Sequence, residues 1–76
     1  MTPENETLGA RLRRLREAKG LSQRDLALSA GVTQAQVSRI EADEREPVAG
    51  TLFALARALD ASLGDFDGLS RGGTGA

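Results

Sequence analysis

The 76-residue sequence contains no cysteine and no histidine. Without cysteine, neither a disulfide nor a thiolate metal site can brace the chain. Without histidine it lacks the commonest metal ligand and general base. Its apolar runs are short, far below the roughly 20 residues that a membrane-spanning helix needs. The opening Thr2-Pro3-Glu4-Asn5-Glu6 is polar and acidic, without the basic and apolar regions of a signal peptide. No Walker A or dinucleotide fingerprint is present. Asp65-Phe66-Asp67-Gly68 echoes part of a calcium loop but lacks the other ligands and reads as a helix end. The expectation is a soluble, cytoplasmic protein that is not an enzyme and takes no cofactor or metal.

What remains is enough for one small domain, whose core must pack efficiently to stabilise it at all. Residues 1–6 and 68–76 read as flexible tails, the second holding four of the nine glycines, and 7–67 as the folded part. Net charge is −1, but the charges are not mixed evenly. Seven basic residues stand against Glu17 and Asp25 between Arg11 and Arg39, a net of +5, and residues 40–67 carry a net of −5. A dipolar chain of this kind can present a basic face to a polyanion.

The apolar positions repeat with helical periods. Leu8, Leu12 and Leu15 form a stripe extended by Ala18, closed by Lys19-Gly20. Ser22-Gln23-Arg24-Asp25 has capping-box spacing and opens a second helix that stops at Ala30-Gly31. Thr33-Gln34-Ala35-Gln36 opens a third in the same way, with Val37 and Ile40 as its apolar side. A fourth runs from about Gly50 to Leu59 through Leu52, Leu55 and Ala56. A short fifth follows Ser62 and places Phe66 in the core. The fold class expected is all-α, with five helices.

The second and third helices are joined by a short turn containing Gly31, the arrangement of a helix-turn-helix. The stretches Leu12-x-x-Leu15-Arg16-Glu17-Ala18-Lys19-Gly20-Leu21-Ser22-Gln23, Leu26-Ala27-x-x-Ala30-Gly31-Val32, Val37-Ser38-Arg39-Ile40-Glu41 and Thr51-Leu52-x-x-Leu55-Ala56 follow in order. On them the sequence resembles the phage-repressor-like, Cro-type (XRE family) helix-turn-helix regulators, over about residues 8–66. The resemblance implies a five-helix repressor-like domain that binds double-stranded operator DNA as a homodimer and regulates transcription.

Within that frame the third helix enters the major groove. Gln34 and Ala35 lie at its leading end, with Ser38 and Arg39 a turn deeper, as candidate base contacts. Glutamine pairs with adenine, arginine with guanine, and alanine touches a thymine methyl. Ser38 suits a phosphate or solvent equally well. Candidate phosphate contacts are Gln23, Arg16, Thr33, Gln36 and Arg45. The family's matching glutamine makes Gln23 a phosphate clamp, whereas Gln36 is better placed to close its capping box. The resemblance also implies an ion pair between Arg16 and Glu41 that fixes the third helix. Arg11, Arg13 and Arg14 either broaden the basic field or form a solvated face. Val48 stands where relatives often carry a capping side chain, and the loop from Glu41 to Glu46 is acidic, leaving Arg45 as its one contact.

Two expectations concern assembly. Phe53 and Leu63 are candidates for a dimer surface. The alternative function is a protein-interaction module or antitoxin with the same fold, to which Leu28, exposed at a position usually polar in the family, lends some support. With no second domain in view, the chain is expected to be a minimal regulator or a fragment of a longer one.

Overall fold

The computed structural model describes residues 6–66. Helix α1 spans Leu8–Ala18, α2 Gln23–Ala30, α3 Gln34–Glu41 and α4 Ala49–Ala58, followed by a single 3-10 turn at Leu63–Phe66. The all-helical class expected from the sequence is what forms. The fifth helix is a 3-10 turn instead of an α-helix: four residues including Gly64 are too short to propagate i→i+4 bonding. The expected C-terminal tail and Asp67 lie outside the described residues, as does the side chain of Leu63.

The helices start where local chemistry satisfies their first N–H groups. Thr7 caps α1, accepting from Ala10 N at 3.1 Å. Ser22 and Thr33 each close a full capping box. Val48 gives α4 no side-chain cap. All four helices end alike, on a left-handed residue whose neighbour's N–H reaches back to a carbonyl of the last turn. Those residues are Gly20 (φ 71°), Gly31 (φ 72°), Asp43 (φ 60°) and Asp60 (φ 55°). The closing bonds run from Leu21 N to Arg16 O, Val32 N to Ala27 O, Glu44 N to Arg39 O and Ala61 N to Ala56 O, at 2.8–3.1 Å.

One core unites these elements. Leu12, Leu26, Val37, Leu55 and Phe66 are at most 1% exposed, so every helix and the final turn contributes at least one wholly buried side chain. Leu15 is half-buried against this core, but Ala18 is exposed, so the apolar stripe of α1 ends a turn earlier than expected. Helix α2 packs on both α3 and α4, while α1 packs on α3. Burying Val37 and Ile40 therefore turns the opposite side of α3 to solvent.

Candidate nucleic-acid interface

Helices α2 and α3 are separated by Gly31, Val32 and Thr33. Ser22 Oγ accepts from Asp25 N at 2.9 Å, and Ser22 N donates to Asp25 Oδ2 at 3.1 Å. The backbone bond from Ser22 N, and after it a hydrogen bond from the Ser22 side chain, hold the Asp25 carboxyl below its usual range. The N–H groups of Gln23 and Arg24 are left without intrahelical acceptors at the positive end of α2.

Thr33 and Gln36 do the same for α3. Gln36 N donates to Thr33 Oγ1 at 3.1 Å, and Thr33 N donates to Gln36 Oε1 at 2.9 Å. The Thr33 hydroxyl also donates to Gln36 Oε1 at 3.2 Å. Gln36 thus closes the box as expected, and its amide hydrogens are what remain for a ligand. Gln34, Ala35, Ser38 and Arg39 are all exposed. Their spacing puts them on one face of α3, opposite Val37 and Ile40, which are 0% and 2% exposed.

The far end of α3 is tied down. Arg16 Nε donates to Glu41 Oε2 at 2.7 Å and Arg16 Nη2 to Glu41 Oε1 at 3.0 Å, a two-pronged pair. Arg16 Nη1 donates to the Leu21 carbonyl at 2.7 Å. The two side chains are 10% and 4% exposed. The hydrogen bond to Glu41, working against desolvation, raises the Arg16 pKa. Each guanidinium nitrogen of Arg16 therefore already has an acceptor inside the protein. Gln23 joins the same cluster, its Nε2 donating to Glu41 Oε1 at 3.1 Å.

Two acidic residues have roles the sequence did not reveal. Asp43, in the acidic loop, turns to the start of α1: Gly9 N donates to its Oδ1 at 3.2 Å and Thr7 Oγ1 to its Oδ2 at 2.7 Å. Glu6, expected in the N-terminal tail, is buried between Arg11 and Arg14 and bonded to both. Its pKa falls to about 2, chiefly through the hydrogen bond from Arg14, with Arg11 adding to it against desolvation.

These pairs reshape the basic field. Arg11 and Arg14 bind Glu6, Arg13 binds Glu17, Arg16 binds Glu41 and Lys19 binds Asp60. Among the described residues, Arg24, Arg39, Arg45 and Arg57 take part in no ion pair and are exposed. The available positive charge in the basic stretch is thus smaller than the net of +5 implied; it lies on α2 and α3, with Arg45 in the loop after α3 and Arg57 on α4. Elsewhere on the surface, Leu28, Val48 and Phe53 are 71%, 72% and 51% exposed, and Arg57 stacks over the Phe53 ring at 5.9 Å.

The family profile described as Helix-turn-helix matches residues 12–66. An uncharacterized HTH-type transcriptional regulator of Sinorhizobium fredii, y4dL, is 41% identical over 63 residues, 83% of this chain and 32% of the relative. Among solved structures, the restriction-modification controller protein C.AhdI from Aeromonas hydrophila is 36% identical with a TM-score of 0.78, covering 83% of this chain and 96% of its own. The P22 c2 repressor, solved in complex with a synthetic operator, is 34% identical with a TM-score of 0.71, over 74% of this chain and 85% of its own. The chain belongs to this helix-turn-helix family, the Cro-type regulators. It spans about a third of the length of the first curated relatives it matches. Among the described residues no helix is long and apolar enough to cross a membrane.

Proposed function

We propose that the chain binds double-stranded DNA sequence-specifically and regulates transcription, as a repressor. The observation that carries this reading is the exposed quartet Gln34, Ala35, Ser38 and Arg39 on the outer face of α3, held at both ends by contacts that do not use those side chains. Arg39 and Gln34 read base edges, Ala35 meets a thymine methyl, and Ser38 adds a hydroxyl. Gln23 and Arg45 contact phosphates, as do the unused amide hydrogens of Gln36 beside Thr33. Arg16, with three of its five N–H donors committed inside the protein, serves the interface chiefly by holding Glu41. The protein acts where its DNA is, in the cytoplasm.

One eight-residue helix reads only a few base pairs, too few for a useful specificity ratio. Two copies on a two-fold operator, with half-site centres roughly 34 Å apart, supply the rest. The exposed Phe53 on α4 supports this as part of the contact between copies.

Salt titration of binding tests the reading. If two copies neutralise about six phosphates between them, the log–log slope should be on the order of −5. A flat salt response, or equal affinity for every duplex, contradicts it.

A further inference from the structure

The Glu41 oxygen that accepts Arg16 Nη2 at 3.0 Å also accepts Gln23 Nε2 at 3.1 Å. A first-turn side chain of α2 therefore rests on the last residue of α3, 18 positions away. We propose that Glu41 is a positioning residue for Gln23, holding its carboxamide ready for a DNA phosphate and so coupling the backbone contact of α2 to the seating of α3. This rests on the DNA-binding reading above.

The chemistry permits both bonds at once. A carboxamide nitrogen carries two hydrogens, so the bond to Glu41 leaves one for an anion. Arg16 neutralises Glu41 through two hydrogen bonds, so the carboxylate can orient Gln23 without adding net negative charge where a phosphate arrives. Polarisation along the chain from Arg16 to Glu41 to Gln23 strengthens each bond. Gln23 is half-buried, in contrast to the exposed Gln34. The rotamer freedom lost on fixing such a long side chain corresponds to roughly tenfold in an equilibrium constant, and a side chain held in advance has already lost it.

The test is a thermodynamic cycle on a duplex selected from a random DNA pool, with folding of each variant checked by circular dichroism. Gln23→Ala should weaken binding by about tenfold or more in the wild type, as expected for loss of a hydrogen bond to a charged group. In the Arg16→Met/Glu41→Leu background, where a buried pair is replaced by apolar side chains, Gln23→Ala should cost less than about threefold. An equal loss in both backgrounds overturns the positioning role and leaves the phosphate contact standing. No loss in the wild type overturns the phosphate contact and the proposal with it. Side-chain amide relaxation of the free wild-type protein gives a check that needs no variant. Gln23 should be as restrained as Gln36, whose carboxamide is tied into the α3 cap, and clearly more so than Gln34. A Gln23 amide as mobile as that of Gln34 overturns the proposal.

Discussion

Glu41→Ala isolates the energetic role of the ion pair that ends α3. The substitution leaves the Arg16 guanidinium, 10% exposed, with the Leu21 carbonyl as its one remaining acceptor among those described. It also removes the acceptor of Gln23. Stranding a buried charge in this way costs roughly 3–5 kcal/mol, against a total of only about 5 kcal/mol for so small a domain. The melting temperature should fall by about 12–40 °C, since each kcal/mol is worth about 4–8 °C at this size. An exposed pair would cost below about 1 kcal/mol, so the magnitude alone discriminates. Arg16→Met/Glu41→Leu removes both charges together and should be more stable than either single variant. Urea titration of the wild type, Arg16→Met, Glu41→Leu and the double variant measures the coupling. Strictly additive losses would refute the reasoning, because two residues that share two hydrogen bonds cannot behave independently.

Further consequences concern the close approach of α1 to α3, the start of α4 and the N-terminal carboxylate. A Cβ on Gly9 would lie 2.3 Å from the Ile40 carbonyl and 2.8 Å from that of Glu41, whereas one on Gly50 meets nothing within 4 Å. Gly9→Ala should therefore cost at least about 1–3 kcal/mol by forcing backbone apart, while Gly50→Ala should gain about 0.4–1 kcal/mol; thermal melts of the two variants check the contrast. Val48→Ser should stabilise by about 0.5–1 kcal/mol, because it supplies the cap α4 lacks and gives up little burial. Glu6 titrates at about 2 in the folded protein, below its ordinary 4.5, so its contribution is present above pH 4.5 and disappears as the pH falls towards 2. Its cover is two arginine side chains, one of them 43% exposed, so solvent screening limits the effect to about 1–2 kcal/mol. Acid titration of stability should accordingly be less steep for Glu6→Gln than for the wild type across that window.

The starts of α2 and α3 were legible because capping is local: Ser22 with Asp25 and Thr33 with Gln36 each declare a terminus within four residues. Gly20 and Gly31 announced their left-handed ends for the same reason. Asp43 and Asp60 adopt that conformation too, but aspartate does so only occasionally, and nothing in its neighbours distinguishes these two. The net of +5 overstated the available charge because the partners of Arg11, Arg14, Arg16 and Lys19 lie outside the stretch. Glu6 and Asp60 fall outside the stretch they neutralise, and the intervals from Glu6 to Arg11 and Arg14 follow no helical contact rule, since Glu6 precedes α1. Arg16 and Glu41 were paired through family resemblance; periodicity offers no rule across 25 positions. Gln23 escaped notice as their third member because a residue assigned to phosphate is not sought inside a structural cluster.

Selection of bound sites from a random DNA pool, run in parallel with the wild type, Arg39→Ala and Gln34→Ala, tests the central claim most directly. The wild type should return a two-fold motif, and each variant should lose preference at one base pair per half-site, at a cost of roughly 1–3 kcal/mol. Recovery of the same motif from all three proteins would contradict the assignment of base reading to the exposed face of α3.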